Sequence, residues 1–150
     1  MKQSTRLLTT AAFAAASLAM LALVSAPVHA APLISCEQQG EMPAMPPLVP
    51  KPIRIHECAS FAGAMAMEIG KQWCEQAAKA DLGPNAKPPV VTYPSACPSG
   101  AKAYCQFSGP GDTVTVRRYY YPDQTTPMAQ LKRSCEASTP GIPAGVFHAF

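Results

Sequence analysis

Lys102-Ala103-Tyr104-Cys105-Gln106-Phe107-Ser108-Gly109-Pro110-Gly111-Asp112-Thr113-Val114-Thr115-Val116-Arg117-Arg118-Tyr119-Tyr120-Tyr121-Pro122 is the stretch that sets the fold class. Two runs rich in β-branched and aromatic residues flank Gly109-Pro110-Gly111-Asp112, which supplies turn chemistry. The pattern predicts an antiparallel hairpin over 102–108 and 113–121, ended by Pro122. In the second arm Val114, Val116, Arg118 and Tyr120 share one face, and Thr113, Thr115, Arg117, Tyr119 and Tyr121 share the other. The valine face is expected to pack on a helix.

Upstream, Ser60 to Leu82 reads as a long amphipathic helix. Phe61, Met65, Ile69 and Trp73 recur every four residues, and Glu68, Lys71, Glu75 and Lys79 cluster on the opposite side. Ser60 is the expected N-cap, and Gly83-Pro84 stops the helix. Gly63 and Gly70 weaken it unless another element approaches closely there. Cys74 falls off the main apolar stripe, on the helix flank. Val90-Val91-Thr92-Tyr93 reads as a short strand. Thr126-Pro127 opens a second, short helix with Met128, Leu131 and Cys135 on one apolar line, so that Cys135 faces the interior. Gly145 to Phe150 reads as a last edge strand. The expected fold is α+β: a small disulfide-stabilised domain with a long helix, an antiparallel hairpin sheet and a second short helix.

The N-terminal region has a different character. Lys2 and Arg6 precede an apolar run from Leu7 to Ala26, and Val28-His29-Ala30 forms a small-residue cleavage box. This is the pattern of a signal peptide over 1–30, cleaved after Ala30. Leu33-Ile34-Ser35-Cys36 only faintly matches a lipoprotein box and sits well past the apolar run. Residues 31–55 read as a proline-rich arm. Pro32, Pro43, Pro46, Pro47, Pro50 and Pro52 exclude a helix or a central strand there, leaving extended chain. Residues 56–150 form the single α+β domain.

Charge narrows the function classes. The chain has 150 residues, 12 Lys and Arg against 9 Asp and Glu, and only 14% charged residues. Removal of Lys2 and Arg6 with the leader brings the formal charge from +3 close to neutral. No nucleic-acid partner is expected from so weak a basic balance. The 17 prolines and low charge exclude a coiled coil. No membrane span is expected after cleavage.

The six cysteines, Cys36, Cys58, Cys74, Cys97, Cys105 and Cys135, all lie beyond the leader. An even count in an exported chain reads as three disulfides. Their spacing lacks the short pairs of a zinc or redox site. Fifteen pairings are open; the preferred set is Cys36–Cys58, Cys74–Cys97 and Cys105–Cys135.

Catalytic signals are sparse. Full pairing leaves no thiol nucleophile, and no GxSxG occurs. An enzyme would need His56, Glu57 and Glu68 to converge in one pocket. Met42, Met45, Met65 and Met67 raise weak soft-metal binding as a further alternative. No catalytic residue, metal site or cofactor is assigned.

Arg117, Tyr119 and Tyr121 are the candidate binding surface, since aromatics beside arginine supply contact area for a protein partner. The Met42 to Pro50 arm is a second recognition strip. The function expected is a non-enzymatic secreted or envelope structural/interaction protein, periplasmic or extracellular, with an envelope or extracellular protein as partner. The alternative is a small envelope enzyme or protease inhibitor.

The stretch Ser95-Ala96-Cys97-Pro98-Ser99-Gly100-Ala101-Lys102-Ala103-Tyr104-Cys105-Gln106, then Tyr119-Tyr120-Tyr121, then Leu131 to Glu136 with Cys135, resembles a module of short cysteine-containing exported bacterial proteins and lipoproteins of unknown function. The similarity runs from about Cys74 to Phe147. Cys74 matches a further cysteine before the module's first strand. Those relatives follow the helix with Gly-Gly and an aromatic, whereas here Ser138 to Gly145 intervenes before Val146-Phe147. The resemblance implies an exported bacterial protein and brings no catalytic residue.

Overall fold

The computed structural model describes residues 33–138 and 143–150. The expected signal peptide over 1–30 lies outside the described residues. The elements are β1 (Leu33–Met42), β2 (Ile53–Ala62), α1 (Ala66–Ala78), β3 (Val90–Thr92), β4 (Ala103–Ser108), β5 (Thr115–Tyr120), α2 (Met128–Glu136) and β6 (Val146–Ala149). The fold is mixed α+β. All six strands form one antiparallel sheet in the order β3-β1-β2-β5-β4-β6.

The expected proline arm is corrected here. Leu33–Met42 is an interior strand, paired with β2 along its length and with β3 on the other side. Pro43, Pro46, Pro47, Pro50 and Pro52 sit outside it, in the β1–β2 connection, where Met45 and Val49 exchange backbone hydrogen bonds of 2.7 and 2.9 Å. Polar Glu37-Gln38-Gln39 is tolerated in β1 because the side chains find partners. Gln38 is buried and its Nε2 donates to the Ala77 carbonyl near the end of α1, at 3.4 Å.

The long helix is corrected too. α1 has 13 residues and α2 has 9. Ser60 and Phe61 belong to β2, so Ser60 caps nothing. Gly63, at φ 121°, turns the chain; a Cβ there would lie 2.6 Å from the Thr113 carbonyl oxygen. Phe61 is fully buried in the strand and still meets Trp73, with ring centroids 5.7 Å apart. The four-residue period is not a helix face: Phe61 lies in β2, Met65 is exposed at the N-cap of α1, and only Ile69 and Trp73 are in the helix. Glu68, Lys71, Glu75 and Lys79 face solvent as expected. The second helix starts one residue later than expected, with Pro127 at its N-cap and no capping side-chain hydrogen bond.

The buried stripe of α1 is Ala66, Gly70, Cys74 and Ala77. Small residues bring the helix down tightly: a Cβ on Gly70 would collide with Ile34 and Phe61. Cys74 is at the centre of this stripe and fully buried, not on the flank. α1 lies over β1 and β2, and α2 lies over β4 and β6. Both helices cover the same face of the sheet.

Strand register explains the disulfides. Cys36 pairs across with Ala59, and Cys58 with Glu37, so the two cysteines project to opposite faces. Cys36–Cys58 is thereby excluded, and Cys74–Cys97 would have to pass through the sheet. The observed bonds are Cys36–Cys74, Cys58–Cys97 and Cys105–Cys135. The first and third staple α1 and α2 to the helix-covered face. The second holds the 93–101 loop across the opposite face, where the Ser35 hydroxyl donates to the Pro94 carbonyl and the Tyr121 hydroxyl to the Pro98 carbonyl.

Candidate functional site

The helix-free face carries the aromatic residues. Across the register, Glu37, Cys58, Tyr119, Tyr104 and His148 form one row from β1 to β6. The Tyr104 ring lies 5.6 Å from Tyr119, 5.5 Å from Phe150 and 4.5 Å from His148, the last pair stacked. The Arg117 guanidinium sits 5.9 Å over Tyr104, and its Nε donates to Gln106 Oε1 at 2.8 Å. Arg117 is exposed, Tyr104 and Tyr119 are half-buried, and Phe150 is 78% exposed. Between this cluster and the 93–101 loop lies an open hollow of about 620 Å³, lined in part by Arg117, Tyr119, Pro98 and Phe150.

Tyr121 departs from its expected place on this surface. It is 4% exposed, hydrogen-bonded to Pro98 and stacked on His56 at 4.3 Å. Burial, with the charges of Glu37 and Tyr119, pushes its phenol up to about 12. Tyr121 is thus a structural residue that anchors the loop. Tyr120 faces the helices and is buried. Tyr104, His148 and Phe150 are the surface residues sequence reasoning missed. The hairpin register, which sets Tyr104 opposite Tyr119, was the signal for the first of them. Nothing in the hairpin pattern pointed to β6 as Tyr104's other neighbour.

His56 occupies a second polar cluster on the same face. Its Nδ1–H donates to Asp123 Oδ1 at 2.6 Å and its Nε2–H to Glu37 Oε1 at 2.7 Å. Two carboxylates on two ring nitrogens require the imidazolium. Burial lowers the His56 pKa, but the hydrogen bonds to Glu37 and Asp123 outweigh it and the value lies above 6.5. Asp123 is lowered: desolvation acts upward, but the hydrogen bond and charge of His56 together outweigh it. An imidazolium so held has no lone pair to act as a general base.

The structure does not bring the possible catalytic residues together. Glu57 projects from the opposite face to His56, where it contacts Gln124 and Arg118, and Glu68 is exposed on α1. The four methionines are dispersed as well. Met45 packs beside Gly83, past the end of α1, while Met65 and Met67 lie at the start of that helix. The helix length alone sets those ends roughly 20 Å apart. Among the described residues, no group of three or more His, Cys, Asp or Glu side chains is disposed to hold a metal ion. No described helix is long and apolar enough to cross a membrane. No family model, no curated protein and no solved structure matches the chain.

Proposed function

We propose that this is a non-enzymatic exported interaction module whose helix-free sheet face binds another protein of the bacterial envelope or the extracellular space. The observation that carries the reading is the contiguous Tyr119–Tyr104–His148–Phe150 cluster, with Arg117 above it, on the face no helix covers. Rigid aromatic side chains offer contact area at low entropic cost, and arginine adds directional hydrogen bonds. Three disulfides fit an oxidising compartment, periplasmic or extracellular. The leader pattern of residues 1–30 and the resemblance to short exported cysteine-containing bacterial proteins support the same location. The binding surface is Arg117 and Tyr119, extended by Tyr104, His148 and Phe150. The role requires no cofactor.

Site-specific photocrosslinking in an exporting bacterium tests this. A photoreactive residue at position 119 is expected to give one discrete protein adduct, absent when it is placed at exposed Lys71 on α1. Arg117→Ala is expected to weaken the adduct at position 119. Adducts of equal yield from both positions, or none from 119, would overturn the reading.

A further inference from the structure

The other face of the sheet contains a site of a different chemistry. α1 covers β1 and β2, and α2 covers β4 and β6, so β5 lies in the gap between the helices. A cleft of about 310 Å³ opens there. Ile69 and Trp73 of α1 line one side, Ser134 and Cys135 of α2 the other, and Phe107 with its cross-strand partner Val116 lies on the sheet floor between them. This size and lining suit a small apolar ligand.

One charged residue interrupts the floor. Arg118, in the middle of β5, lines the cleft with about a third of its side chain exposed. Its guanidinium stands 5.1 Å over the Trp73 ring. Its Nε is buried without a hydrogen-bond partner, because the nearest carboxylate oxygen, of Glu57, is 3.7 Å away. Glu57 is itself engaged by the Gln124 side chain at 3.2 Å. The Tyr120 phenol also lines this floor. Burial raises its pKa, and the neighbouring Arg118 charge only opposes that rise, so the phenol is a neutral donor at physiological pH. A guanidinium has five N–H donors in a fork that matches a carboxylate. Arg118 thus has a carboxylate nearby but a buried Nε that no acceptor reaches, and an anion entering the apolar cleft would supply that acceptor.

We infer that this cleft binds a small amphiphilic carboxylate, a medium-chain fatty acid in chemical class, with its carboxylate on Arg118 and its alkyl chain against Trp73, Ile69 and Phe107. The site is independent of the helix-free face and stands or falls separately from the partner-binding reading. Charge complementarity selects this occupant: a neutral apolar ligand leaves Arg118 as it is, and a cationic one is repelled.

Trp73 is the sole tryptophan and reports directly on the cleft. The test is a fluorescence titration of the mature, oxidised protein at pH 7 with decanoate and with decanol, below the micelle concentration of decanoate. Saturable decanoate binding is expected, with affinity at least about tenfold above that of decanol. Arg118→Met is expected to erase that preference. Glu57→Gln removes the competing carboxylate while keeping an acceptor for Gln124, and is expected to tighten decanoate binding. Ser134→Phe, at an exposed position on the rim, is expected to block both ligands. Should Arg118→Met fail to fold, Glu57→Gln and Ser134→Phe decide alone. Absence of saturable decanoate binding, equal affinity for decanoate and decanol, or a Glu57→Gln variant that binds decanoate no better than wild type would overturn the inference.

Discussion

On the helix-covered face, Cys36, Ala59 and Phe61 are fully buried, and Cys74 and Cys135 descend from two helices to meet the sheet. On the opposite face a single disulfide ties down a loop, Tyr104 and Tyr119 are half-buried, and Arg117 is exposed. The two faces alternate along the same strands, residue by residue. One is closed by two helices and their crosslinks, the other by a crosslinked loop and its polar anchors. The helices and the two main core clusters lie on one side of the sheet, which leaves the other side without a helix over it.

Disulfide removal gives the largest expected effect and compares the faces directly. Cys36–Cys74 and Cys58–Cys97 close spans of 38 and 39 residues, so the chain-entropy contribution is nearly equal, about 4 kcal/mol each. Cys36 and Cys74 are both fully buried, whereas Cys97 is partly exposed. Replacing the Cys36–Cys74 pair by alanines is therefore expected to destabilise more than replacing Cys58–Cys97, as read by urea unfolding. Equal losses would show that packing does not distinguish the faces.

Phe61→Ala is expected to cost about 3–5 kcal/mol, because a fully buried ring leaves a cavity beneath α1. Tyr119→Ala, on the open face, is expected to cost under about 1 kcal/mol. Gly70→Ala sharpens the same contrast. Alanine favours an isolated helix by roughly 1 kcal/mol over glycine. The collision of its Cβ with Ile34 and Phe61 is nevertheless expected to make the substitution destabilising by about 1–3 kcal/mol. A stabilised Gly70→Ala protein would mean that α1 rides higher above the sheet.

The smallest effect belongs to His56. Its folded pKa is raised, so its contribution is complete below about 6.5 and is lost as pH rises through the folded value. Asp123 has the opposite sign: its contribution is present above 3.8 and is lost as pH falls through its lowered folded value. Together they favour the fold most between about pH 4 and 6.5. His56→Gln is expected to flatten this dependence while costing under about 1 kcal/mol at pH 6. Denaturation midpoints from pH 3 to 9 check it, and an unchanged profile would remove the imidazolium from the account.

Local chemistry made part of the fold legible. The β4–β5 hairpin, the short β3, the inward face of α2 and the final edge strand all carry their turn residues or periodicity within a few positions. Val114 and Val116 do share a buried cluster with Ala66 and Cys74 of α1, together with Phe61 of β2. What escaped depended on distant partners. β1 was hidden by the prolines that follow it, which read as excluding a strand, and the partners of its polar Glu37 and Gln38, His56 and the Ala77 carbonyl, lie far along the chain. Phe61 satisfied a helical period while sitting in a strand. The disulfide pairing depended on which face each cysteine takes, and a register with an unseen β1 could not supply it. Arg117 and Tyr119 were visible as an unusual local pair, whereas Phe150, His148 and the Arg118 cleft required the whole sheet.

Because adjacent residues on a strand take opposite faces, the cysteine pairing records the division of the sheet. Trypsin separates the six cysteines onto six peptides, so a non-reducing tryptic map of the native protein reads that pairing directly. The expected crosslinked peptides join Cys36 to Cys74, Cys58 to Cys97 and Cys105 to Cys135. A Cys36–Cys58 or Cys74–Cys97 peptide from protein kept at acidic pH to prevent exchange would contradict the two-faced arrangement.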